Sequence, residues 1–193
     1  MVVSAWGLQR SCILAFIGLG LAACDVGQSS AEPGFPDEPN PEALGVNSAD
    51  ALERCGDEAL EWNTGHKTHY ISYPAPGSVE CEQYNGCTWE GLFAGCSDRQ
   101  SEDWVAETNI AAVYPLFGNL AHHEICIRTG SEVMIVNVID TCSDQDCNGC
   151  CSRNQGSADA LVDLESYTND RWGNPDGPLQ WADLGPRPVS VCN

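Results

Sequence analysis

The chain has 193 residues, 28 acidic against eight Lys and Arg, a formal charge of −20 and twelve cysteines. That balance excludes nucleic acid, whose phosphates need a basic footprint, and it repels anionic lipid head groups and anionic wall polymers. A neutral polymer, a cation or a basic protein stays compatible with it, and much of the acidity serves only to keep an exported chain soluble.

The chain opens with one positive charge, Arg10, followed by the thirteen-residue apolar run SCILAFIGLGLAA. Such a run is too short for a permanent membrane span and reads as a signal peptide over residues 1–23. Its end, Leu21-Ala22-Ala23-Cys24, is similar to a bacterial lipobox, which implies acylation of Cys24, a membrane anchor and a mature chain that begins there. All 28 acids and seven of the eight bases follow the leader, so the mature charge is −21. Residues 24–50 carry four prolines and six acids with no base, a composition that reads as a disordered tether. Residues 51–193 are then one domain with one core.

Cys12 lies in the leader and Cys24 at the anchor, which leaves Cys55, Cys81, Cys87, Cys96, Cys126, Cys142, Cys147, Cys150, Cys151 and Cys192. An even set in an oxidising compartment predicts a disulfide framework, with connectivity left open.

Within the domain, HKTHYISY alternates as a strand and stops at Pro74. Ser97 with Gln100 is a capping box ahead of a short helix in SEDWVAETN. NIAAVYPLFGNL follows as an apolar run. EICIRT and EVMIVNVID flank Gly130-Ser131 as a hairpin of β-branched strands. LVDL and PLQWADL are further strands, and ESYTNDRW is a helix stopped by Gly173. Short strands with small helices predict a compact, mainly β barrel.

The order of these fragments carries a resemblance. Thr68-His69-Tyr70 on the first strand, the run NIAAVYPLFGNL, a strand ending VNVIDTC, and then LVDLESYTNDRWGNPDGPLQW resemble the six-stranded double-psi β-barrel. That barrel is shared by expansins, loosenin-like single-domain proteins, rare lipoprotein A and family 45 glycoside hydrolases. The resemblance implies that Asp163, in Leu161-Val162-Asp163-Leu164, is the groove acid on which activity depends. It places Asp140, Thr68 and Tyr70 beside Asp163. An Asp inside an apolar strand is costly unless paired, grooved or protonated, which agrees.

The departures matter equally. Family 45 hydrolases place their base two residues after the first-strand Tyr, and here that residue is Ser72. A hydroxyl without an activator cannot be that base, because inverting hydrolysis needs two carboxyls. The implied function is therefore non-hydrolytic loosening of a neutral structural polysaccharide, cellulose-like or chitin-like. A peptidoglycan lytic transglycosylase, which can work with one carboxyl, and a protein-binding or inhibitor module are the alternatives. Tyr70, Tyr73 and Trp89 are the aromatics expected to meet sugar rings.

Other constellations read more plainly. His66 and His69 face opposite sides of a strand, and His122-His123-Glu124 is a surface or groove cluster rather than a metal site. Cys147-Asn148-Gly149-Cys150 has redox or zinc spacing but lacks the βαβ context. Asp144-x-Asp146-x-Asn148-Gly149 matches the first half of a calcium loop, yet its twelfth position is Gln155. A polar turn remains open for it. No cofactor or metal is expected, and the chain is expected to act as a monomer.

Overall fold

The computed structural model describes residues 45–187 and 191–192. The leader, Cys24 and most of the tether lie outside the described residues. Among the described residues, contacts with the barrel precede Ala51: Val46 packs against the core and the Asn47 amide bonds the Val133 carbonyl at 2.8 Å. Ser48 then caps helix α1 (Ala49–Cys55). After it come β1 (Asn63–Tyr70), α2 (Val79–Glu82), α3 (Glu102–Ala106), β2 (Ile110–Tyr114) and α4 (Phe117–Leu120). The chain continues through β3 (His123–Thr129), β4 (Glu132–Thr141), α5 (Cys150–Gln155), β5 (Ala160–Glu165), α6 (Ser166–Trp172) and β6 (Gly177–Pro186).

The six strands close into a barrel in the order β1-β5-β2-β4-β3-β6. The β1–β5 and β2–β4 pairs are parallel and the other four antiparallel, so the expected double-psi barrel is the observed fold. Alternation along each strand sends one set of side chains inward. Ala111, Val113, Ile125, Ile127, Val136, Val138, Val162, Leu164 and Trp181 form the barrel interior. Gly65 belongs to this face because a Cβ there would lie 2.5 Å from Leu179 Cδ1. Closure leaves no free sheet edge to aggregate.

Two smaller clusters cover the outside. Helix α1 packs over Cys126 and Ala182, with Leu60 and Trp62 alongside. Phe93, Val105, Ile110 and Ile139 form the other cluster, beneath Trp104 and Tyr167. The helix in SEDWVAETN starts later than the capping box suggested. Ser101, not Ser97, caps it by accepting from the Trp104 amide at 3.3 Å. Gln100 instead turns back to the Asp98 carbonyl. Gly173 ends α6 in the left-handed conformation, as expected.

All ten described cysteines pair: Cys55–Cys126, Cys81–Cys87, Cys96–Cys192, Cys142–Cys151 and Cys147–Cys150. Cys55–Cys126 spans 71 residues and Cys147–Cys150 only three. Chain-entropy reasoning assigns about 4 kcal/mol to the former and about 1–2 kcal/mol to the latter. Urea unfolding of the Cys55→Ser/Cys126→Ser chain should accordingly show a much larger loss of stability than the Cys147→Ser/Cys150→Ser chain; equal losses contradict it.

Candidate functional site

The groove floor is one row of register partners running across four adjacent strands. Thr68 on β1 is the Cα partner of Asp163 on β5, Asp163 of Ala112 on β2, and Ala112 of Asp140 on β4. The two carboxyls thus flank one alanine, with their Cα atoms about two strand spacings, roughly 9–10 Å, apart.

Asp140 reaches this face through an irregularity. Met134, Val136 and Val138 point into the barrel, so strict alternation would send Asp140 inward as well. The β2–β4 register shifts between Ala111 and Ala112, passing from Val138 to Asp140 and skipping Ile139. Ile139 joins the outer cluster, and Asp140 turns to the groove. A bulge beside a site commonly re-aims one side chain in this way.

Above the floor is an open cavity of about 370 Å³ that brings Thr68, Tyr70, Asp140 and Asp163 together with His69, Glu80, Tyr84 and Asp146. One wall is the loop carrying α2, closed by Cys81–Cys87, which presents Glu80 and a half-exposed Tyr84. The segment pinned by Cys142–Cys151 and Cys147–Cys150 also lines it. A larger cavity of about 660 Å³, among Thr64, His66, Arg128 and Leu179, holds none of the expected acids.

Thr68 Oγ1 donates to Asp163 Oδ1 at 2.6 Å. Asp140 Oδ1 accepts from the Ala94 amide at 3.0 Å and the Thr141 amide at 2.9 Å. Burial raises the pKa of Asp163 to about 6, against the Thr68 bond and the nearby His69, while the charges of Asp140 and Asp176 add to the rise. Burial likewise raises Asp140 to about 6, although the two amides and Tyr70 pull it down. Burial, then the charges of Asp140, Glu165 and Asp163, push the Tyr70 phenol well above its usual range. Its hydroxyl is enclosed and makes no hydrogen bond of ordinary geometry among the described residues.

At the lip of the groove, buried Lys67 holds Asp176 at 2.9 Å and also donates to the Asn174 carbonyl at 3.0 Å. Asp176 in turn meets His69 Nδ1 at 3.2 Å. Partial burial would raise the pKa of Asp176, but the Lys67 and His69 bonds outweigh it and leave it low. An ionised carboxylate only accepts, so Nδ1 carries the proton in this contact.

Other expected residues fall elsewhere. Tyr73 lies beyond the end of β1, packed in the outer cluster with its hydroxyl on the Gln100 carbonyl, and does not line the groove. Trp89 is exposed on the surface and is not a lining residue either. Ser72 is buried, and its hydroxyl donates to Glu165 Oε1 at 2.8 Å, so it faces away from the floor. His66 lies in the larger cavity and His69 in the groove, so the two do not share a site. His123 instead meets Asp183 at 2.9 Å.

Within the calcium-like segment, Asp144 takes the Ser152 amide at 2.9 Å and the Tyr114 hydroxyl at 3.1 Å, so its carboxylate caps α5. Cys142, Cys150 and Cys151 have sulfurs within 4.8 Å of one another, but all three are in disulfides and offer no thiolate. Glu80, Tyr84 and Asp176 are the groove and lip residues that sequence reasoning did not single out. The one signal for the first two was their place in or beside the short loop between Cys81 and Cys87.

No family profile matches the chain, and no curated protein matches it. Among the solved structures similar to it are an expansin and an inhibitor. The apo expansin of Clavibacter michiganensis aligns at TM-score 0.40 and 15% identity over 67% of this chain and 52% of its own. A Streptomyces papain inhibitor aligns at TM-score 0.38 and 14% identity over 67% of this chain and all of its own. The chain therefore spans about half the length of the expansin it matches.

The raised carboxyls predict how stability changes with pH. Their folded pKa of about 6 exceeds the ordinary carboxylate value, so the folded chain keeps protons that the unfolded chain has released. Stability should fall as pH rises from about 4 through 6, by about 2–3 kcal/mol per group. Asp163→Asn keeps an acceptor for Thr68 and removes this cost. Its melting temperature should exceed that of the parent chain at pH 7.5 and match it near pH 4; a pH-independent difference would count against desolvation as the cause.

Proposed function

We propose that this protein binds a non-anionic structural polysaccharide, of the cellulose or chitin kind, along the groove and loosens its packing without hydrolysis. The observation that carries the reading is the row Thr68–Asp163–Ala112–Asp140, which sets two high-pKa carboxyls on the floor of an open trough. A trough with Tyr84 at its rim suits a chain of sugar rings, whose C–H faces lie on an aromatic and whose hydroxyls meet Thr68 and Asp163. Asp163 can hold a proton at pH 5–6 and exchange hydrogen bonds with sugar hydroxyls, where an ordinary carboxyl would already be charged. Ser72, turned to Glu165, offers no base from the position where the hydrolases carry theirs.

Export and tethering by an acylated Cys24 belong to the same proposal, supported by five disulfides among the described residues and by the lipobox-like leader. A second reading, lytic cleavage, draws on the same carboxyl: a group with a pKa of about 6 can donate a proton and then take one back.

The purified protein should pull down with insoluble polysaccharide and weaken its fibres while releasing no reducing ends. Asp163→Asn should abolish the weakening with the fold intact, and Tyr84→Ala should reduce binding more than Trp89→Ala. Anhydro-sugar products would favour the lytic reading, and binding to no glycan at all would defeat both.

A further inference from the structure

The groove is unusual in the sign of its charge. Four carboxyl side chains, Glu80, Asp140, Asp146 and Asp163, line it with one imidazole and no Lys or Arg. Bases are few in this chain, and those it has lie elsewhere. The only lysine, Lys67, is buried behind Asp176. All six described arginines hydrogen-bond elsewhere, as Arg54 does with Glu124 at 2.5 Å and Arg187 with Asn137 at 3.0 Å. Neither Glu80 nor Asp146 makes a side-chain hydrogen bond among the described residues, so neither carboxyl is committed to the fold as Asp144 is.

An uncharged sugar chain lying in this trough would displace water from the carboxylates and return only neutral hydrogen bonds. The burial that already raises Asp140 and Asp163 would deepen. A ligand carrying ammonium groups reverses the balance: Glu80 and Asp146 gain charge-assisted partners, and a nearby ammonium favours the ionised forms of Asp140 and Asp163, in a cleft that focuses negative potential. The enclosed Tyr70 hydroxyl, beside Asp140 but without a hydrogen bond of ordinary geometry, is a buried polar group among the lining residues that the fold leaves unsatisfied.

We propose that the groove selects a saccharide polymer bearing protonated amines, as a deacetylated amino-sugar chain does, over the same polymer with its amines acetylated. This rests on the polysaccharide reading above and narrows it. The polysaccharide reading commits the occupant to a sugar chain rather than a basic peptide, with the half-exposed Tyr84 and the Thr68 hydroxyl both lining the cavity of about 370 Å³.

The test measures binding of the full chain to a hexamer of N-acetylglucosamine, its fully deacetylated counterpart, a cellulose oligomer of equal length, and hexalysine, all at pH 5.5 and low salt. The deacetylated hexamer should bind about tenfold tighter than the acetylated one, the ratio that one additional charge-assisted contact supplies. That preference should shrink as salt screens the groove. Glu80→Gln and Asp146→Asn, which remove uncommitted carboxyls, should each reduce it. Equal affinity for the acetylated and deacetylated chains overturns the inference while leaving the polysaccharide reading in place. Binding of hexalysine as tight as the deacetylated hexamer also overturns it, in favour of a peptide ligand. Failure to bind any of the three saccharides removes the polysaccharide reading itself.

Discussion

Two carboxyl groups held on one register row, with a single alanine between them, are the constraint around which this molecule is built. Ionised groups out of water are costly, and the pair repel each other across the floor. The fold offsets the cost locally: Thr68 bonds one carboxyl, and two backbone amides bond the other. A proton taken up near pH 6 relieves what remains. Such strain persists only where the scaffold is over-determined, and a closed barrel with five disulfides provides that.

The rest of the architecture serves the two walls. The turn between Cys81 and Cys87 and the segment between Cys142 and Cys151 have little apolar material of their own to anchor them. Covalent closure does that work, with Asp144 capping α5 from within the second wall. At the lip, Lys67 sends its ammonium out of the barrel interior to Asp176, which orients His69. The one lysine of the chain is thus consumed in placing an imidazole, which leaves the groove to its acids.

The strands were legible because the barrel buries alternate residues and the chain writes that period plainly in EICIRT, EVMIVNVID and LVDL. Asp163 was marked by the resemblance, and its place as an acid interrupting an apolar strand agrees with that. The cap of α3 was misplaced by one turn because Ser97 and Ser101 offer the same oxygen, and only the path of the loop decides which meets a free amide. Tyr73 looked like a groove residue on the supposition that the first strand continued past it. The strand ends at Tyr70, and the following turn carries Tyr73 over Gly91 into the outer cluster. Glu80, Tyr84 and Asp176 left no periodic mark, since Glu80 sits on the four-residue helix α2 and the other two on loops, all placed by a disulfide or an ion pair.

By itself the sequence determined the mainly β class of fold, because local alternation marks the strands, and the pairing of an even set of cysteines, because composition and the expected export imply it. The six-strand count and the choice of Asp163 came with the resemblance to double-psi barrels. Tertiary structure decided which cysteines pair and which side chains share the groove, because both depend on contacts between residues far apart in the chain. It also decided the face of Asp140. Simple alternation points that carboxyl into the barrel, and only the shifted register around Ile139, set by pairing with a strand some thirty residues away, turns it out beside Asp163.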